Sequence, residues 1–362
     1  YIPVGGNIEE FRTEENRKQW TETDMLSVSE NRIMNGKGED VVLTGVNLGG
    51  WLLQEYWMCP VKGNGEIEQW TYLETIEVLE DRFGTERTQD LIETFEKNWI
   101  TEEDIQRIAE IGCIRVPFWY RNFMSDANGT WLTEDIGDNP GFQRLDWVID
   151  AAGKYGLYVI LDMHGCPGGQ TTDHVAGSAR KSELFSNPVY QDAMEELWVA
   201  IAERYQGNPV VAAYDIMNEP MAQADSVDTD PRNLVYDRMI KAIRKVDSEH
   251  IVIVEGIWTL SVLPEPAESG WDNVIYEVHL YGHDDVKDIC QMYREYSDTH
   301  KIPVYIGEYS DMDFLEYCHE LGVSSTSWTY KGSMEMEDTW FMYYADRMLA
   351  ADVCRDPYWL IK

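Results

Sequence analysis

Basic residues are scarce in this chain. Lysine and arginine number 29 against 66 aspartates and glutamates, a formal net charge of −37. A field of that sign repels nucleic-acid phosphates and anionic lipid, so neither a nucleic acid nor a membrane surface is an expected partner. Long apolar runs are missing too: no stretch approaches the ~20 residues that a membrane-spanning helix needs. Cysteine is sparse and scattered, at Cys59, Cys113, Cys166, Cys290, Cys318 and Cys354, with no CxxC pair and no zinc spacing. No metal is therefore expected, and disulfides are open but not required at this size. No GxSxG elbow is present, which disfavours serine hydrolysis. No proline- or serine-rich linker divides the chain, which points to one large domain and an expected monomer.

What is present is an alternation. Apolar runs that read as buried strands are Leu43–Asn47, Cys113–Pro117, Tyr158–Met163, Val210–Met217, Ile251–Glu255, Val274–His279, Val304–Gly307 and Ser324–Trp328. Helical periodicity separates most of them: a segment opening at Thr101, then Pro140–Tyr155, Asn187–Tyr205, Arg232–Val246, Asp285–Tyr296 and Asp313–Leu321, with a last helix over Thr339–Ala350. Eight strands alternating with helices in 362 residues predict a (β/α)8 TIM barrel. An open doubly wound sheet is the rival, but the glycine-rich stretch Gly45–Gly50 lacks GxGxxG spacing and runs into Trp51-Leu52-Leu53. Ahead of the barrel, residues 1–32 read as a polar extension and 33–362 as the domain. A hairpin is expected over Ile33–Gly45, its turn at Asn35-Gly36-Lys37-Gly38, placed to plug the barrel's bottom. The chain begins at Tyr1, so a signal peptide or a trimmed start is open; a secreted or cell-surface location is expected, a cytoplasmic one not excluded.

A barrel of this kind builds its site at the carboxyl ends of its strands. Here those ends carry Asn47 and then Trp51, Arg115, Asp162 and His164, Asn218-Glu219-Pro220, His279-Leu280-Tyr281, Glu308 and Trp328. Two glutamates on such a rim suit acetal cleavage, which needs one carboxyl group to give a proton and one carboxylate to meet the anomeric carbon. Glu219 is the candidate acid and Glu308 the candidate nucleophile, kept ionised by Arg115 or Tyr281. The bland alternatives are that Glu219 caps a helix before Pro220 and that Glu308 merely pairs with an arginine. His279-x-Tyr281-x-His283 hints at a metal but offers no third ligand at sensible spacing. With 14 Trp and 21 Tyr the chain is rich in flat faces for sugar rings. Trp328 is the leading platform, with Trp51, Trp57, Trp119 and Trp258 behind it; His174 and His283 fall on loops without an assigned role.

Taken in order, Gly45-Val46-Asn47-Leu48-Gly49-Gly50-Trp51-Leu52, Ile114-Arg115-Val116-Pro117, Leu161–Gln170, Asn218-Glu219-Pro220, His279-Leu280-Tyr281, Ile306-Gly307-Glu308-Tyr309 and Trp328 resemble glycoside hydrolase family 5, the cellulase A family, over about residues 43–350. The resemblance implies a retaining double displacement with Glu219 as acid/base and Glu308 as nucleophile, and no cofactor. It implies that Arg115, His164, Asn218, His279, Tyr281 and Trp328 line the sugar subsite, with Asn47 and Trp51 beside them. The partner implied is a β-glucan polysaccharide or oligosaccharide of β-1,3, mixed β-1,3/1,4 or β-1,4 linkage; the alternatives are a cellulase or mannanase of the same family, or a non-catalytic carbohydrate-binding barrel. The Asn-Leu-Gly-Gly-Trp-Leu and His-Gly-x-Pro-Gly-Gly-Gln stretches look most like the exo-β-1,3-glucanase and mixed-linkage branch. A departure is Gln54-Glu55-Tyr56-Trp57, where that branch usually has a Leu-Glu-Pro-Trp type continuation.

Overall fold

The computed structural model describes residues 18–58, 71–109, 111–178, 180–283, 285–311, 313–332 and 343–344. Eight parallel strands close into a barrel: β3 (Thr44–Asn47), β4 (Cys113–Trp119), β5 (Tyr158–Gly165), β6 (Val211–Asp215), β7 (Ile251–Glu255), β8 (Val274–Leu280), β9 (Val304–Tyr309) and β10 (Ser324–Ser327), with β10 pairing back onto β3. Each runs within a few residues of the expected apolar stretch. The runs are nearly unbroken because a parallel strand in a barrel is covered on both sides; all eight residues of β5 are buried.

The helices follow from local chemistry. α4 (Pro140–Tyr155), α5 (Pro188–Tyr205) and α6 (Pro231–Ile243) all start with proline at the first turn, behind Asn139, Asn187 and Asp230, whose side chains accept from the backbone N–H two residues on. Proline loses nothing there, since that N–H has no partner within the helix. Gly156, at φ 80°, ends α4 in the left-handed turn that glycine adopts without a Cβ clash. α7 (Pro266–Ser269), α8 (Val286–His300) and α9 (Asp313–Leu321) complete the later crossovers. α8 and α9 bring the free thiols of Cys290 and Cys318 to 3.3 Å.

Three parts differ from expectation. The β3-to-β4 crossover holds α1 (Tyr72–Phe83), α2 (Thr85–Trp99) and α3 (Glu102–Ile108), of which only α3 is evident from its periodicity. The inner face of α2 consists of Thr88, Glu96 and Trp99, so burial there does not track hydrophobicity. The hairpin is also shifted: β1 (Leu26–Ser29) pairs with β2 (Arg32–Asn35), and the Asn35–Gly38 turn leads only to a single bridge from Met34 to Asp40. The boundary at residue 32 therefore cuts through the hairpin, and Trp20, Leu26 and Val28 pack on the barrel instead of standing outside it. Of the helix expected over Thr339–Ala350, Tyr343–Tyr344 pairs as a strand with Lys331–Gly332, and the rest lies outside the described residues.

The hairpin does stopper the barrel. Leu26, Ile33 and Leu43 cluster with Cys113, Tyr158, Ile160, Ala212, Ile251 and Ile275 at the amino ends of the strands. Chemistry is left to the opposite end.

Candidate active site

The strand ends converge on a cavity of about 170 Å³. Glu219, Glu308, His164, Asn218, Tyr281 and Trp328 line it, joined by Glu55, Trp57, His174 and Val175. A larger cavity of about 260 Å³ lies at the stoppered end, beside Val28, Trp271 and Tyr276, and holds neither glutamate.

Glu308 comes from β9 and is held on both oxygens. Arg115 donates to Oε1 at 2.9 Å and the Tyr281 phenol to Oε2 at 2.7 Å. Burial pushes the Glu308 carboxyl above its ordinary range, while His279, Arg115 and His164 pull the other way. The two donors satisfy the ionised form, as an attacking carboxylate requires. Glu219 sits beyond the end of β6 at φ 43°. No helix begins at Pro220; the next one, α6, is capped by Asp230, so the helix-capping alternative for Glu219 falls.

His279 joins the pair. A register shift between Val278 and His279 sets His279 opposite Glu308 in the β8–β9 ladder. Its Nδ1 lies 2.9 Å from Glu219 Oε1 and 3.4 Å from Glu308 Oε2. Ligating atoms of Glu219, His279 and Glu308 all fall within 4.8 Å of one another, so tertiary structure supplies the neighbours that spacing alone did not. Burial opposes a charge on His279, but Glu255, Glu308 and further carboxylates outweigh it and raise its pKa well above the ordinary value. So placed, protonated His279 Nδ1 can donate to either glutamate.

Beneath the cavity lies a polar layer. Arg115 is fully buried and meets Asp215 at 2.8 Å, Asp162 at 3.1 Å and Glu277 at 3.7 Å besides Glu308. Asp162 pairs in register with Asp215, and Glu255 with Glu277, so neighbouring strands deliver their acids to one level. So many carboxylates cannot all ionise beside so few cations. Burial and Glu277 push Asp215 up to about 8 against the pull of Arg115, and burial raises Glu255.

The expected site residues thus divide. His164 stacks on Trp328 with ring centres 5.2 Å apart, and Asp162 holds its Nδ1 at 2.7 Å. Asn218 accepts from Arg115 at 3.0 Å and still faces the cavity. Gln170 staples the loop after β5 by donating to the carbonyls of His164 and Asn218. Arg115 and His279 stand behind the carboxylates rather than on the cavity wall. Asn47 is not a wall residue either: its amide donates to the carbonyls of Gly307 and Ser327 and its oxygen accepts from Arg115, which makes it a brace. Trp51 is 1% exposed, donates to the Glu96 carbonyl and packs edge-on to Trp147, so it belongs to the core. Among the weaker candidates, Trp119 is buried, Trp57 lines the cavity, and Trp258 stands 53% exposed near Tyr281.

Sequence reasoning assigned no role to Glu55, and none to its partner His174. The loops after β3 and β5 bring them together: His174 Nε2 meets Glu55 Oε2 at 2.9 Å, its Nδ1 meets Asp173 at 2.5 Å, and Trp57 donates to Glu55. Burial disfavours the charged ring, yet Asp173 and Glu55 push His174 up to about 10. The departure at Gln54–Trp57 was the available signal.

Residues 80–346 match the cellulase family, glycosyl hydrolase family 5. A β-xylosidase of Phanerodontia chrysosporium is 33% identical over 265 residues, 71% of this chain and 52% of its own length, so this chain spans about half of that relative. A probable glucan 1,3-β-glucosidase A of Neosartorya fischeri is 26% identical over 310 residues, 78% of this chain and 68% of its own. Among solved structures, a rutinosidase from Aspergillus niger superposes with a TM-score of 0.64 at 18% identity, covering 89% of this chain and 94% of that one, a likeness of fold.

Proposed function

Because the chain belongs to glycosyl hydrolase family 5, a family of O-glycosyl hydrolases, we propose that it cleaves β-glucan with retention of configuration, acting on β-1,3 or mixed β-1,3/1,4 linkages. The observation that carries the reading is the meeting of Glu219 and Glu308 around His279 Nδ1 within 4.8 Å, at the wall of a cavity bounded by Trp328. An oxygen of one glutamate within 4.8 Å of an oxygen of the other supports the ~5–5.5 Å spacing of retaining carboxyl pairs over the ~6.5–9.5 Å that inverting enzymes keep for a water. Glu308, held by Arg115 and Tyr281, attacks the anomeric carbon while Glu219 protonates the departing oxygen. Glu219 then takes a proton from water, which releases the sugar from Glu308 on the same face. The cavity is well below the ~300–1,000 Å³ of drug-sized pockets and suits a single ring.

The relative named as a β-xylosidase supports a second reading, xylan or a β-xyloside. A time course on laminarin, lichenan, carboxymethylcellulose and xylan separates the two. Cleavage of laminarin or lichenan with the β-anomer appearing first is the expected result. First release of the α-anomer removes the double displacement, and cleavage of xylan alone moves the substrate to the second reading.

A further inference from the structure

Glu255 ends β7 and is fully buried, behind the residues that line the cavity. It nevertheless bonds to the reacting apparatus once and approaches it a second time. Its Oε2 accepts the backbone N–H of Glu219 at 2.6 Å. Its Oε1 lies 3.4 Å from His279 Nε2, the far side of the ring whose Nδ1 meets the Glu219 carboxylate. One carboxylate therefore holds Glu219 by its amide and lies in ion-pair range of the imidazole beside the Glu219 carboxylate, without a hydrogen bond to that ring.

The grip answers a local difficulty. Glu219 has φ 43°, a left-handed conformation costly for a residue with a Cβ. The following residue is proline, so no N–H is available there to anchor the turn. The amide of Glu219 itself is the group that can be tied down, and Glu255 ties it. Tyr236 holds Glu255 in turn, donating from its hydroxyl to the Glu255 carbonyl at 3.0 Å and accepting the Glu255 N–H at 3.1 Å. Glu277, the register partner of Glu255, lies 3.4 Å from the same His279 nitrogen.

We propose that Glu255 is a positioning residue for Glu219: it holds the acid/base in its left-handed turn and aims the carboxyl group at the departing oxygen. The proposal rests on the acid/base reading of Glu219. A group that acts through a proton donor matters in proportion to how much the leaving group needs that proton, whereas a purely structural residue does not distinguish leaving groups.

The test is kcat/KM on phenyl and 2,4-dinitrophenyl β-glycosides of the sugar the protein releases, for wild type, Glu219→Gln, Glu255→Gln and Glu255→Leu, with melting curves for each. Glu255→Leu is expected to lose roughly tenfold or more on the phenyl glycoside and less than ~3-fold on the dinitrophenyl one. Glu255→Gln keeps an oxygen for the Glu219 amide and is expected to recover most of the loss. Should Glu255→Leu not fold, Glu255→Asp, which withdraws the carboxylate by one methylene, is read the same way. Equal losses on both substrates, or no loss, in the Glu255 variants would overturn the proposal while Glu219→Gln still discriminates. A Glu219→Gln that does not discriminate removes the acid reading itself, and the proposal with it.

Discussion

Arg115 donates through Nη1 to Glu308 at 2.9 Å and through Nε to Asp215 at 2.8 Å, so one guanidinium ties the candidate nucleophile to the acid layer below it. The same group reaches Asn47 and Asn218. A lysine offers a point charge without that fork. Arg115→Lys is expected to lower kcat/KM by ~100-fold or more, because the carboxylate is no longer aimed. The acidic limb of the pH–rate profile should also move to higher pH, since Arg115 helps offset the upward push of burial on Glu308. A folded Arg115→Lys protein with near-normal kinetics would refute the assignment.

The tryptophans make a paired prediction. Trp51 is core and Trp258 is exposed at the rim beside Tyr281. Trp51→Ala should cost about 3–5 kcal/mol of stability, read by denaturant unfolding. Trp258→Ala should leave stability within about 0.5 kcal/mol and raise KM for oligosaccharides severalfold. The reverse pattern would put the sugar platform at Trp51.

His174 links stability to pH. Folded, it keeps its proton up to about 10; unfolded, it releases it near ~6.5. A raised folded pKa means that its contribution is full below about 6.5 and is lost as pH rises through 10. The melting-temperature gap between wild type and His174→Ala should shrink by roughly 3–8 °C between pH 6 and 10.5. A constant gap would show that His174 holds no extra proton in the folded cluster with Asp173 and Glu55.

Gly307 stands directly before Glu308 for want of room. A Cβ there would come within 1.5 Å of Glu277 Oε1, and that carboxylate is itself buried between Arg115 and His279. Gly307→Ala should destabilise by about 1–3 kcal/mol in urea unfolding. It should also depress activity, because relief requires β9 or Glu277 to move. Unchanged stability and rate would mean that the acid layer is looser than these contacts imply.

The barrel was readable because eight covered strands leave eight apolar runs, and the helices behind Asn139, Asn187 and Asp230 announce themselves by proline. α1 and α2 were not, because their buried faces include Thr75, Thr88 and Glu96. At the site, Glu219 and Glu308 stand out as acids closing apolar runs. Glu255 closes Ile251–Val254 in the same manner and passed unnoticed for lack of a distinctive neighbour. Which way a strand-end side chain faces is a matter of register. Asn47 and Trp51 lie in a motif stretch yet turn to bracing and packing, and the shift at Val278 that seats His279 has no sequence mark.

The β1–β2 hairpin across the amino ends of the strands makes the barrel a cup. In the proposed double displacement, a sugar bonded to Glu308 is reached, among the described residues, from the cavity at the carboxyl ends of the strands, and the aglycone leaves that cavity before water follows to the anomeric carbon. If that displacement holds, an alcohol seated in the cavity ahead of water competes for the same sugar, so the residues at the rim would govern how often the glycosyl group ends on water and how often on another alcohol.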